Sequence, residues 1–350
     1  MAVNLGVIGC GKVFTDLHAA ALRRVAGVKV VAVADPIESR RTAAAHLMPS
    51  AAVFPDWRRL LEQAPVDAIV ISTPPADHVE CAREAFAAKK HVYVEKPLAV
   101  NLAQATSILS ANQSAGTLGM MGFNYRFHPF YLRARELVRR DGLGKIVEVQ
   151  STFTSAGWLS DWRRTRATGG GALLDLATHH LDVVPFIAGE SIVEISAELE
   201  SHAAEQDTAR VQAVLGSGAL MQSFFCLHQA GTNRIEIRGT AAKLIIDLYA
   251  PRFELSAADG TRSFSISNVA SRAWLKFERV ITRGYDPSYE AAFAAFANAI
   301  ANGGTSISPD LTDGMQMMQI VDAAERSASS GTPCKVQRFE QAAQTHEKRA

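Results

Sequence analysis

The chain has 350 residues, 48% of them hydrophobic and 20% charged, with 36 Lys and Arg against 35 Asp and Glu. That length suggests about two domains, and the apolar share excludes disorder as the default state. The net charge of +1 supplies no basic face for nucleic acid or an anionic membrane, so neither is expected as a partner.

Residues 3–9 are short and apolar, as a buried strand is. Gly9-Cys10-Gly11 follows, then an apolar-periodic helix to about residue 25, a strand over 28–34 and Asp35 at its end. A glycine turn between strand and helix lets backbone approach a pyrophosphate at the helix N-terminus, and an acid ending the second strand bonds a ribose hydroxyl. Asp35 stands 24 residues after Gly11, close to the usual interval. Phe14 occupies the third glycine position of G-x-G-x-x-G, so a plain structural turn is the competing reading.

Helices over 38–47, 77–89 and 102–113, and one opened by Asp56, alternate with strands over 51–54, 66–73, 91–96 and 117–123. This rhythm predicts a doubly wound parallel sheet with helices on both faces. After residue 124 the pattern changes. A helix over 131–139 leads to an alternating strand over 145–153 and a glycine-rich helix. Alternating runs follow over 193–199, 209–215, 220–227, 234–238, 243–248 and 253–256, then helices over 287–301 and 313–328. Alternation with close turns predicts a large, open, mostly antiparallel sheet. The expected division is a dinucleotide-binding domain over 1–123, an α+β domain over 124–336 and a polar tail over 337–350.

Cys10, Cys81, Cys226 and Cys334 lack C-x-x-C spacing, which reads as reduced thiols rather than a disulfide framework or a zinc site. The N-terminus runs straight into strand-like sequence without a basic leader, and no apolar run reaches the length of a membrane span. A cytoplasmic protein is expected.

Two constellations carry chemistry. Glu95-Lys96-Pro97 ends a parallel strand, where ligands of open α/β sheets bind. An ammonium there can stabilise a developing alkoxide, or it can simply cap the strand and reach solvent. The second follows Gly169-Gly170-Gly171, where Asp175, His179 and Asp182 lie at i, i+4 and i+7 on one helical face. Two carboxylates flanking a histidine raise its basicity, as a general base requires. A solvated polar stripe is the plain alternative. A metal site is a third reading, but His179 and His180 are adjacent and point apart, with no cysteine nearby, so no metal is expected.

Thr73-Pro74-Pro75 with His78 follows a strand and either lines the cleft or stops the strand with an N-cap. Asn124-Tyr125-Arg126 crosses the domain junction, where it can contact a polar substrate or tie the halves together.

In this order along nearly the whole chain, these motifs resemble the glucose-fructose oxidoreductase/inositol dehydrogenase/MocA family of NAD(P)-dependent oxidoreductases. The resemblance implies a Rossmann domain, a C-terminal sheet used for homodimer or homotetramer contacts, and oxidation of a secondary alcohol on a sugar, sugar derivative or cyclitol. It implies that Lys96 holds the reacting oxygen, His179 shuttles its proton and Asp175 orients or bonds substrate. Cofactor contacts are expected from Gly9, Gly11, Lys12, Val13, Asp35, Arg40, Thr73, Pro74, His78, Glu95, Lys96 and Asn124. Substrate contacts are expected from Tyr125, Arg126, Trp162 and Arg163, within a segment over 158–166 whose Trp and Arg suit sugar stacking and hydroxyl bonding. Asp35 repels a 2′-phosphate and favours NAD, while Arg40 leaves NADP open. Ala177 and Phe14 depart from glycines common in the family without removing a reacting group. Some relatives hold NAD for transient oxidation in glycoside cleavage or elimination, and a non-catalytic NAD sensor is the remaining alternative.

Overall fold

The computed structural model describes residues 2–155, 160–260, 263–266 and 286–339. Residues 158 and 159 of the expected substrate segment and residues 340–350 of the expected tail lie outside the described residues.

The first half is a six-stranded parallel sheet in the order β3-β2-β1-β4-β5-β6. Its strands are β1 (Val3–Ile8), β2 (Val28–Ala34), β3 (Ala52–Phe54), β4 (Ala68–Ile71), β5 (His91–Glu95) and β6 (Gly119–Gly122). β4 and all but the first residue of β5 are buried, as continuous apolar strands covered on both faces must be. The helices between them are α1 (Ala19–Leu22), α2 (Glu38–Leu47), α3 (Trp57–Gln63), α4 (His78–Ala87) and α5 (Leu102–Ala115). Asp56 caps α3 through the Arg58 amide. Strand order reverses between β1 and β4, so a crevice opens outside their carboxyl ends. The turns after β1, β4, β5 and β6 carry Gly9-Cys10-Gly11, Thr73-Pro74, Glu95-Lys96 and Asn124.

α6 (Pro129–Arg139) leads into a nine-stranded sheet, β14-β13-β12-β11-β7-β10-β9-β8-β15. Its members are β7 (Ile146–Thr154), β8 (Ile192–Glu200), β9 (Thr208–Leu215), β10 (Leu220–Cys226), β11 (Thr232–Gly239), β12 (Ala242–Asp247), β13 (Arg252–Ala257), β14 (Ser263–Ile266) and β15 (Cys334–Lys335). β7 and β10 run parallel and the other pairs are antiparallel, so the sheet is mixed but mostly antiparallel. The chain between β7 and β10 makes the crossover that a parallel pair needs, through α7 (Thr178–Ala188), β8 and β9. β14 and β15 have no counterpart in the alternation, being too short to show a period.

One face of this sheet is apolar, with Val149, Phe153, Val211, Met221, Phe225, Ile235 and Leu244 buried in the main core. The other carries charge ladders such as Arg238–Glu148 at 2.7 Å and Arg234–Glu236 at 3.0 Å. α8 (Pro287–Ala301) lays Tyr289, Phe293 and Phe296 into a second core with Phe14 and Tyr93. α9 (Leu311–Ser330) packs against β8 and α5, joining the two sheets. No helix of the described residues is long and apolar enough to cross a membrane.

Candidate active site

Gly9 takes φ +93°, and a Cβ there would stand 2.7 Å from the backbone of Ser72 and Thr73. The turns after β1 and β4 therefore touch, and only glycine permits it. Gly11 is the opposite case: a Cβ there would meet nothing within 4 Å, so its hydrogen faces open space at the start of the first helix. Asp35 is buried. Its Oδ2 accepts from the Cys10 amide at 2.8 Å and its Oδ1 from the Ile37 amide at 2.9 Å. The acid that ends β2 thus also pins the glycine turn. Exposed Arg40 stands 3.9 Å from it.

Two polar atoms at these strand ends, Thr73 Oγ1 and Asn124 Oδ1, are buried without a hydrogen-bond partner. Buried polar atoms in native proteins are normally paired. Their lack of protein partners, with the open space at Gly11, fits a polar molecule held along these turns. Asn124 spends its amide on Ser288 Oγ at 2.8 Å, and that serine in turn donates to Asp286.

His78, expected as a cofactor contact, is packed between the strand-end turns. It has no exposed surface, and its ring nitrogens face Pro97 O at 2.9 Å and Thr73 O at 3.0 Å. It staples the turn after β4 to the turn after β5. The Lys96–Pro97 peptide is cis.

Lys96 projects from the end of β5 across the cleft. Its Nζ donates to Asp175 O at 2.7 Å and to Asp175 Oδ1 at 2.9 Å. The other carboxylate oxygen, Oδ2, stands 3.0 Å from Arg163 Nε. Burial works to raise the Asp175 carboxyl, but Lys96 and Arg163 overcome it and hold it below the usual carboxylate range. Asp175 reaches this position from a π-helical turn, Leu173–Ala177, which precedes α7 and follows the glycine run. Gly169 (φ +102°) presses on Pro75, where a Cβ would lie 2.5 Å from the ring. Gly169 closes the gap between the second half and the turn after β4, while Gly170 packs against the backbone of Arg163 and Thr165.

His179 borders the same cleft, its ring 4.6 Å from that of Tyr125 and 5.5 Å from that of Phe153. The expectation that flanking carboxylates raise its basicity is overturned. Burial, with the positive charge of Lys96 and Arg163 and the neighbouring His180, pushes its pKa well below the ordinary imidazole range. The two carboxylates are engaged elsewhere. Asp175 faces Lys96 and Arg163, while Asp182 takes a bidentate pair from Arg126, with Nε 3.0 Å from Oδ2 and Nη2 2.6 Å from Oδ1. Arg126 also reaches Asp313 on α9 at 3.1 Å. Arg126 is thus held by two carboxylates of the second half, Asp182 on α7 and Asp313 on α9. The stripe of i, i+4, i+7 spacing is split by the π turn, so a straight helical wheel misplaces Asp175.

Tyr125 is buried, and its phenol oxygen accepts from Asn233 Nδ2 at 2.5 Å. Asn233 Oδ1 meets His180 Nε2 at 3.0 Å, which fixes the histidine pair against β11. The sequence carried no signal for Asn233, which lies in an ordinary alternating strand. Trp162 and Arg163 sit together, guanidinium 5.1 Å from the indole centroid, at the cleft mouth. Lys12 is exposed beside Asp16, and Val13 is half-buried on the first turn.

A strand-switch crevice with a glycine turn, a lysine–aspartate pair and a neutral histidine defines a class, the dinucleotide-binding oxidoreductases. Residues 3–123 match the oxidoreductase family with an NAD-binding Rossmann fold, and residues 135–336 match the C-terminal alpha/beta domain of that family. The chain belongs to the glucose-fructose oxidoreductase/inositol dehydrogenase/MocA family and is an NAD-binding oxidoreductase. An uncharacterized oxidoreductase, YrbE of Bacillus subtilis (strain 168), is 28% identical over 97% of this chain and 98% of its own. The myo-inositol 2-dehydrogenase of Thermotoga maritima is 28% identical over 70% of this chain and 75% of its own. Among solved structures, an oxidoreductase domain protein from Kribbella flavida superposes with a TM-score of 0.83 at 25% identity, over 96% of this chain and 99% of that one.

Proposed function

We propose that this protein is a dehydrogenase that oxidises a secondary alcohol on a sugar, sugar derivative or cyclitol. The observation that carries the reading is Lys96 held by Asp175 at the end of β5, with neutral His179 on the same cleft. NAD, when bound, accepts the hydride. Gly9, Gly11 and Val13 would hold its phosphates, Asp35 its adenosine ribose, and Thr73 and Asn124 polar groups nearer the reacting end.

The Lys96 ammonium donates to the substrate oxygen and stabilises the negative charge that grows there. Asp175 aims that ammonium. His179 accepts the hydroxyl proton, for which a neutral imidazole is the required form. Tyr125 and Phe153 support its ring, and Trp162 with Arg163 offers a stacking face and donors for a polyol. The dehydrogenase named for myo-inositol among the relatives supports a cyclitol or sugar as substrate. Asp35 favours NAD over NADP. A cytoplasmic homodimer or homotetramer, paired through the charged face of the larger sheet, completes the reading.

The test is nicotinamide reduction followed by absorbance, with NAD or NADP and a panel of inositols, aldoses and sugar nucleotides. Reduction with a panel member is expected. Lys96→Met should lower kcat by about 10³-fold while NADH affinity holds. Retained turnover in that variant would sink the assignment.

A further inference from the structure

One buried histidine lies outside this chemistry. His18 ends a π-helical turn, Phe14–His18, that interrupts the first helix, where the Ala19 amide donates to Phe14 O. Such turns are rare and concentrate at functional sites. The ring has no exposed surface and stands among three aromatic rings, Tyr289 and Phe293 at 5.1 Å and Tyr93 at 6.5 Å. In that dry pocket its Nε2 meets Glu95 Oε1 at 2.8 Å, while its Nδ1 is buried without a partner. Among the described residues, the one hydrogen bond of the ring is thus aimed at Glu95.

Glu95 is the residue before Lys96. Its second oxygen, Oε2, accepts from the Lys96 backbone amide at 3.2 Å. Gly122 leaves room for the same carboxylate, since a Cβ there would stand 3.0 Å from it. A buried carboxylate is stable only while its oxygens are paired. His18 supplies that pairing on one side, which leaves the other oxygen to fix the backbone from which Lys96 springs.

We infer that His18 is a positioning residue: through Glu95 it sets the backbone of Lys96, and so ties the helix behind the glycine turn to the lysine that faces Asp175. The inference rests on the reading of Lys96 as the oxygen-holding group. Its test measures where the lysine is rather than turnover, so the two can fail separately.

The experiment compares His18→Gln, His18→Asn and His18→Leu with the native protein. An amine-reactive ester is applied to each, and the rate of Lys96 labelling is read by mass spectrometry against exposed Lys29. Glutamine carries an amide nitrogen about as far along its side chain as Nε2, and asparagine does not. His18→Leu and His18→Asn should label Lys96 about fivefold faster, as the ammonium leaves Asp175 more often. His18→Gln should label at the native rate, and NADH affinity by fluorescence should change less than twofold in all three. Unchanged labelling in Leu and Asn, or a Gln variant as fast as Asn, overturns the inference. The asparagine variant keeps the test alive if leucine does not fold. With a substrate in hand, the deuterium isotope effect on kcat should rise in Asn and not in Gln. Mere loss of folded protein would leave it unchanged.

Discussion

The two halves of the molecule each open a helix with a π turn just after a glycine run, and the two turns do different things. Phe14–His18 delivers a histidine to a carboxylate in a closed aromatic pocket. Leu173–Ala177 delivers a carboxylate to Lys96 and to Arg163 at the edge of an open cleft. Both end on adjacent residues, Glu95 and Lys96. The difference teaches how one strand end is held: from behind by a histidine packed among aromatic rings, and from in front by two cationic side chains on one carboxylate. On the proposed reading of Lys96, the charged side acts on the group that holds the substrate oxygen, so its loss should cost more in rate.

The sharpest way to break the comparison is Asp175→Asn, which keeps the shape and removes the charge facing Lys96. A kcat loss of about 10²-fold is expected, with NADH affinity unchanged by fluorescence. A loss no larger than that of His18→Asn would mean that the two clamps are equivalent.

The helix behind the second turn has its own anchor, Arg126 against Asp182. Burial pushes the Asp182 carboxyl up to about 6 against the pull of Arg126. Arg126→Met would strand that carboxylate and should destabilise the protein by about 3 kcal/mol, read as a lower urea midpoint. A midpoint equal to the native one would show that this buried pair does not hold α7 in place.

Within the first turn, Gly9 and Gly11 should separate cleanly. Gly9→Ala puts a methyl group into backbone at positive φ, so Tm should fall, by several degrees. Gly11→Ala meets no atom of the protein, so Tm should hold while the KM for NAD rises about tenfold. Equal thermal losses would contradict the open space at Gly11.

The smallest effect concerns pH. His179 has its pKa pushed well below the ordinary 6.5, by burial first and then by neighbouring positive charge. If His179 is the proposed base, its neutral form is the active one, and kcat/KM should stay flat as pH falls through 6.5 and decline only further down. A decline centred on 6.5 or above would show an imidazole that the cleft does not perturb.

The first sheet was readable along the chain because each buried parallel strand is a short apolar run bounded by glycine, proline or acid. The turns after β1, β4 and β5 announced themselves for the same reason, through residues with restricted or permissive backbones. The second sheet was readable as alternation, though the parallel pairing of β7 with β10 was not, since pairing joins residues 72 apart such as Ser151 and Ser223. Lys96, Asp175 and His179 stood out by position at a strand end and on one helix.

What the sequence determined by itself was therefore local: element order, the strand-end turns and the candidate reacting groups. The tertiary structure alone decided which charges face each other. A wheel of 3.6 residues per turn cannot foresee two π turns, because each depends on what its side chains meet across the fold. Those turns send His18 to Glu95 and Asp175 to Lys96, leave Asp182 to Arg126, and so make His179 a weaker base than its sequence neighbours suggest. Ionisation follows distance and burial, and both are properties of packing rather than of spacing along the chain.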